Sequence, residues 1–144
     1  RLIQSREIAK EMNMDIKFIE EDAITDHPNT VRIRMGDNED EIEVVGISIG
    51  GGKIEILELN GFELRLSGHH PAILVIHDDR FGAIASVSNI LAKHEINIGH
   101  MEVSRIERGL TALMTIEVDQ NINEDILDEI SLLDHVTQVT KVSD

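Results

Sequence analysis

With 144 residues and a formal charge of −15, the chain has room for one domain or two small ones and offers no basic patch to a nucleic-acid backbone. The absence of Cys removes disulfides, thiolate nucleophiles, zinc knuckles and cluster ligation at one step, and fits a reducing, cytoplasmic setting. The acidity is even (15 acidic and 8 basic residues in 1–70, 13 and 5 in 71–144), so it reads as solubility, and no apolar run approaches the roughly 20 residues of a membrane span.

The chain opens at Arg1 without Met, and Leu2–Met14 reads as a helix whose stripe of Ile3, Ile8, Ala9 and Met12 is only partly regular. It therefore reads as a fragment of a longer polypeptide. Asp15–Glu20 alternates polar and apolar residues, a strand signal. Asp26–Thr30 is a turn around Pro28, Val31–Met35 alternates again, and Gly36-Asp37-Asn38 interrupts it. Glu41–Ile49 is a further strand, straight or bent, ending at the turn Gly50-Gly51-Gly52. Ile54–Leu59 and Phe62–Leu66 flank Asn60-Gly61, the strongest short hairpin signal here, with Phe62, Leu64 and Leu66 on one face. The first part is thus one helix followed by a mainly antiparallel sheet, with its boundary near residue 68.

Ser67–Pro71 is punctuated as a linker. Beyond it the order is strand, helix, strand, strand, helix, strand. Ala72–His77 is the first strand, and Arg80–His94 the first helix, with Ile84, Val87 and Leu91 on a stripe beside Ala83 and Ile90. Ile96–Ile106 and Leu110–Asp119 are strands around Arg108-Gly109, the second alternating Leu110, Ala112, Met114, Ile116 and Val118 inward. Asn123 caps the last helix, which Ile122 and Leu127 staple and Ile126, Ile130 and Leu133 bury, and Val136–Val142 closes the sheet. A βαββαβ unit over 71–144 predicts an α+β chain with a ferredoxin-like second domain.

The chemistry concentrates between Ile73 and Arg105. A strand ending in His77-Asp78-Asp79 meets a helix opening at Arg80-Phe81-Gly82, where unpaired N–H groups and partial positive charge suit a small carboxylate. His77 is either a ligand contact or a histidine satisfied by backbone at a sheet edge. Asp79 is first a helix N-cap and second an acceptor for a ligand ammonium. Asn97 points opposite to Ile96 and Ile98, toward solvent or toward a ligand whose carboxylate and ammonium its amide can serve together. His100 and Glu102 read as interface or solvated positions. No catalytic residue and no metal ligand is assigned. Gly50–Lys53 is a hairpin turn rather than a phosphate loop, since neither Ser nor Thr nor a helix follows. His69 and His70 are linker residues, and the Glu124, Asp125, Asp128, Glu129 cluster is a solvated helix face.

Ile76-His77-Asp78-Asp79-Arg80-Phe81-Gly82 with Ile96-Asn97-Ile98 resembles an ACT domain, a regulatory module that binds amino acids, over nearly all of 71–144. Such domains commonly have Pro where this chain has Phe81, and retain the glycine found here at Gly82, whose missing side chain admits a ligand to the backbone. The resemblance implies an amino-acid site at His77, Asp79, Arg80, Phe81, Gly82, Asn97 and Ile98, and a homodimer formed through ACT domains side by side. Family members that bind serine often have Asn where this chain has Asp79.

Residues 67–105 with Leu110–Gln120, Gly46–Ile56 and Asp26–Val31 are similar to a narrower group, the β chains of bacterial iron–sulfur-dependent L-serine dehydratases. There an allosteric substrate-binding domain precedes the ACT domain, which implies that 1–68 is the later part of such a domain. It further implies conversion of L-serine to pyruvate and ammonia, with an oxygen-labile four-iron (4Fe–4S) cluster and most catalytic groups on a partner α chain. This fragment alone would be inactive and bind no cofactor. His27 and Asn29 would face effector or partner, or form only a turn. The regulatory tail of a D-3-phosphoglycerate dehydrogenase shares the two-domain order, and a freestanding interaction module without ligand is the third reading.

Overall fold

The structure is a computed structural model that describes residues 4–37 and 41–142. Helix α1 (Ser5–Glu11) is shorter than the predicted Leu2–Met14, and Leu2, Ile3 and Asn38 lie outside the described residues. The expected strand at Asp15–Glu20 does not form. The segment joins none of the described strands, and Phe18 stays 77% exposed. Strands β1 (Thr30–Gly36), β2 (Glu41–Gly50), β3 (Lys53–Leu59) and β4 (Phe62–Leu66) then form an antiparallel sheet in chain order.

Local chemistry sets this register. Asn60 and Gly61 both take positive φ (49° and 82°), the backbone a tight two-residue hairpin needs. The Asn60 side chain accepts from the Glu43 amide at 2.8 Å, tying the turn to β2. β2 bends where its pairing slips at Val45/Gly46 and Ser48/Gly50. One face carries Arg32 and Arg34 against Glu43, with Glu58 3.6 Å from Arg32. On the other, Phe62, Leu64 and Leu66 are buried, as their alternation predicts.

The second unit comprises β5 (Ala72–Asp78), α2 (Ala83–Lys93), β6 (Ile98–Arg105), β7 (Thr111–Val118), α3 (Glu124–Ser131) and β8 (Val136–Val142). Its sheet order is β6-β7-β5-β8, with every neighbouring pair antiparallel. This is the expected ferredoxin-like arrangement, and β5 and β6 run the same way on either side of β7. Val87, Leu91, Met114, Ile116, Ile126 and Ile130 are among the residues packing the helices on one sheet face.

Three local expectations change. α2 starts at Ala83 rather than Arg80, because Gly82 adopts φ +85° and ends the incoming loop. Ile84, in the first turn, is half exposed, and the buried stripe is Ala83, Val87, Ile90 and Leu91. Leu110 lies outside β7 and is exposed, whereas Leu113 and Thr115 are buried on the face opposite the helices. That burial has a clear cause. Phe62, Leu64 and Leu66 of β4 pack with Ala72, Leu74 and Leu113 in a second core that joins the two sheets.

Asn123 occupies the N-cap of α3 without a side-chain cap bond. The staple does form, with Ile122 and Leu127 both buried in the helix-face core.

Candidate functional site: the β5–α2 corner

Strand register defines the corner. Ala112 of β7 pairs with His77 of β5 and with Arg105 of β6, and His77 pairs in turn with Val136 of β8. Paired residues in an antiparallel ladder share a face, so His77, Ala112 and Arg105 form one row on the helix-bearing side. His77 is 2% exposed. Its Nδ1 lies 2.7 Å from the Asp78 carbonyl, and its Nε2 is buried without a hydrogen-bond partner among the described residues. Its ring meets that of His135 edge-on at 6.4 Å.

His135 braces the loop from the β8 side. Its carbonyl accepts from the Asp78 amide at 2.8 Å, and its Nε2 lies 3.0 Å from Ser86 Oγ. Ser86 is also within 2.9 Å of the Ala83 carbonyl, so the hydroxyl joins the first turn of α2 to the α3–β8 turn.

Asp79 braces the other side. It does not cap α2, as the sequence led us to expect, because its carboxylate is used elsewhere. Oδ2 accepts from the Gly109 amide at 2.8 Å and from Arg105 at 3.0 Å. The Gly109 N–H, aided by Arg105 and opposed by partial burial, holds the Asp79 carboxyl below its ordinary value. Phe81 projects into solvent at 92% exposure, with the Arg80 guanidinium 5.9 Å from its ring centre. Nothing lies within 4 Å of the place a Cβ would occupy on Gly82, so its positive φ, not crowding, is what requires glycine.

Asn97 and Ile98 lie at the other end of the sheet. Ile98 pairs with Val118 and packs on the helix-face core, and Asn97 donates its side-chain amide to Asp119. Along β6, Asn97 is separated from Arg105 by roughly 25 Å at strand rise. One copy of the chain therefore unites His77, Asp79, Arg80, Phe81 and Gly82 and leaves Asn97 apart. His27 and Asn29 fold onto each other, the Asn29 amide donating to His27 Nδ1 at 3.2 Å, at the sheet edge farthest from β4.

Residues 72–131 match the ACT domain family. Over all 144 residues the chain is 60% identical to the probable L-serine dehydratase β chain of Bacillus subtilis (strain 168), covering 66% of that protein. Over 128 residues it is 30% identical to the L-serine dehydratase β chain of Peptoniphilus asaccharolyticus, covering 58% of it. The chain carries an ACT domain and is similar over its length to L-serine dehydratase β chains. It spans less than two-thirds of either relative's length. A D-3-phosphoglycerate dehydrogenase of Methanocaldococcus jannaschii is also similar, at 26% identity over 143 residues and 27% of its length.

In this ACT domain, sequence reasoning missed Arg105, Gly109, Ser86 and His135. Arg105 left a trace, since it continues the inward positions Met101 and Val103 of β6 with a charge instead of an apolar group. His135 left none, because only the fold brings it beside Ser86. His69, His70 and the acidic face of α3 form no metal centre, and the described residues hold no group of three or more His, Asp or Glu able to bind a metal ion. Among the described residues no helix is long and apolar enough to cross a membrane.

Proposed function

We propose that this chain is the regulatory part of an L-serine dehydratase β chain and senses L-serine, or a closely related amino acid, through the β5–α2 corner of its ACT domain. The 60% identity over the whole chain to a probable β chain carries this reading. The corner adds support, since it gathers His77, Asp79 and the start of α2 at one sheet end. Residues 1–68 then act as an allosteric substrate-binding-like domain, and the pair of domains works in the cytoplasm beside an α chain.

A four-iron cluster does not fit this stretch of chain, which has no thiolate to hold it. In this reading the cluster and the conversion of L-serine to pyruvate and ammonia belong to the α chain. The β chain's part is to bind ligand and bias that site, and such coupling is typically worth about 1–3 kcal/mol.

Asn97 enters through a second copy. β6 is an edge strand of its sheet. Two β6 edges paired antiparallel about a two-fold axis would bring Asn97 of one copy to the Arg105 end of the other, closing two equivalent sites. Asn97→Ala should then weaken amino-acid binding with little change in stability, since its neighbours Ile96 and Ile98 supply the burial. Isothermal calorimetry and urea unfolding on the same preparation measure both.

The deciding experiment is co-expression of the full-length chain with its α partner under anaerobic conditions. Serine-dependent release of pyruvate is the expected result. Its failure, together with a Gly-rich dinucleotide fingerprint upstream, would instead favour the tail of a phosphoglycerate dehydrogenase, to which the chain is 26% identical in one relative.

A further inference from the structure

Arg105 is the residue at this corner that neither the motif nor the family resemblance brings forward. It ends β6 in the same row as His77, with the small Ala112 between them. We propose that Arg105 and Asp79 together clamp the head of a free α-amino acid, Arg105 taking its carboxylate and Asp79 its ammonium. The proposal rests on the amino-acid-sensing reading above and names the chemistry that would perform it.

The geometry of the pair carries the argument. Both bonds to Asp79, from Gly109 and from Arg105, converge on Oδ2. Oδ1 has no hydrogen-bond partner among the described residues and remains an acceptor for an ammonium. Arg105 engages Asp79 through one terminal nitrogen only, so the rest of its planar fork can receive a carboxylate. The two charges are held 3.0 Å apart, with side chains 51% and 20% exposed, so a solute reaches a pair that is already oriented. An α-amino acid carries its own opposite charges on adjacent carbons and would lie head to tail along this pair. A simple acid or a simple amine satisfies one half and leaves the other to water.

The surroundings agree. Exposed ion pairs of this kind add little to stability, so holding the fold is a weak explanation for the Arg105 guanidinium. The Gly109 amide fixes the Asp79 carboxylate independently of Arg105, which lets the arginine adjust to a ligand without releasing the loop. In the same row, His77 buries an Nε2 that has no hydrogen-bond partner among the described residues.

The test uses the full-length chain and three probes in calorimetric titration: L-serine, ethanolamine (serine without its carboxylate) and 3-hydroxypropionate (serine without its ammonium). L-serine should bind at least tenfold more tightly than either analogue. Arg105→Gln should lose at least tenfold in L-serine affinity and narrow the gap to ethanolamine, while Asp79→Asn narrows the gap to 3-hydroxypropionate. Arg105→Lys should keep part of the discrimination. A merely structural arginine would not shift one ratio selectively. Unchanged L-serine affinity in Arg105→Gln, with Asn97→Ala still weakened, overturns the clamp and leaves the sensing role standing. Equal binding of L-serine and ethanolamine by the unaltered chain overturns the clamp without recourse to any variant. Absence of L-serine binding by the unaltered chain overturns both.

Discussion

Asp79 shows how one side chain can leave the role its position announces. It sits where an N-cap belongs, yet Gly109 and Arg105 hold its carboxylate across the corner. A carboxyl whose folded pKa is lowered stabilises the fold above its unfolded pKa, and that contribution is lost as pH falls through the folded value. The window therefore opens near the ordinary value of 3.8 and extends below it. Asp79→Asn should lower stability at neutral pH and flatten the acid limb of a plot of urea midpoint against pH. An acid limb identical to that of the unaltered chain would remove Asp79 from this role. Thr115 makes the opposite case. Its hydroxyl is buried without a partner among the described residues, so Thr115→Val should raise stability by about 1 kcal/mol, read as a shift in urea midpoint at constant slope.

The elements divide by how local their causes are. The β3–β4 hairpin was legible in Asn60-Gly61, and α3 in its Ile122–Leu127 staple and the Ile126/Ile130 spacing, because each signal lies within a few residues. The start of α2 was not, since it depends on Gly82 taking φ +85° and on distant partners claiming Asp79. Nor was the failure of Asp15–Glu20 to pair, because alternation marks a strand but cannot supply its neighbour. Gly82→Ala should cost about 1–2 kcal/mol from backbone strain alone, as the space around it is open. Thermal unfolding checks this, and a neutral result would mean the loop relaxes. Ile130→Ala, at a fully buried position of α3, should cost about 2–5 kcal/mol by the same measurement.

At the scale of the whole molecule, the two sheets are not beads on a linker. Phe62, Leu64 and Leu66 of the first pack with Leu74 and Leu113 of the second, and the Arg65 amide donates to Glu102 across the same contact. Unfolding should therefore be a single cooperative transition by calorimetry, and Leu64→Asp should split or strongly lower it. Half of the candidate site was readable at this scale, in the His77–Gly82 string. The rest depends on pairing: Arg105 reaches His77's row through Ala112, while Asn97 lies at the opposite end of the sheet. The central claim is that this corner binds an amino acid, and titration of the full-length chain with L-serine in a calorimeter tests it most directly. A saturable heat that Asn97→Ala weakens is the predicted result, and no heat at millimolar L-serine would contradict it.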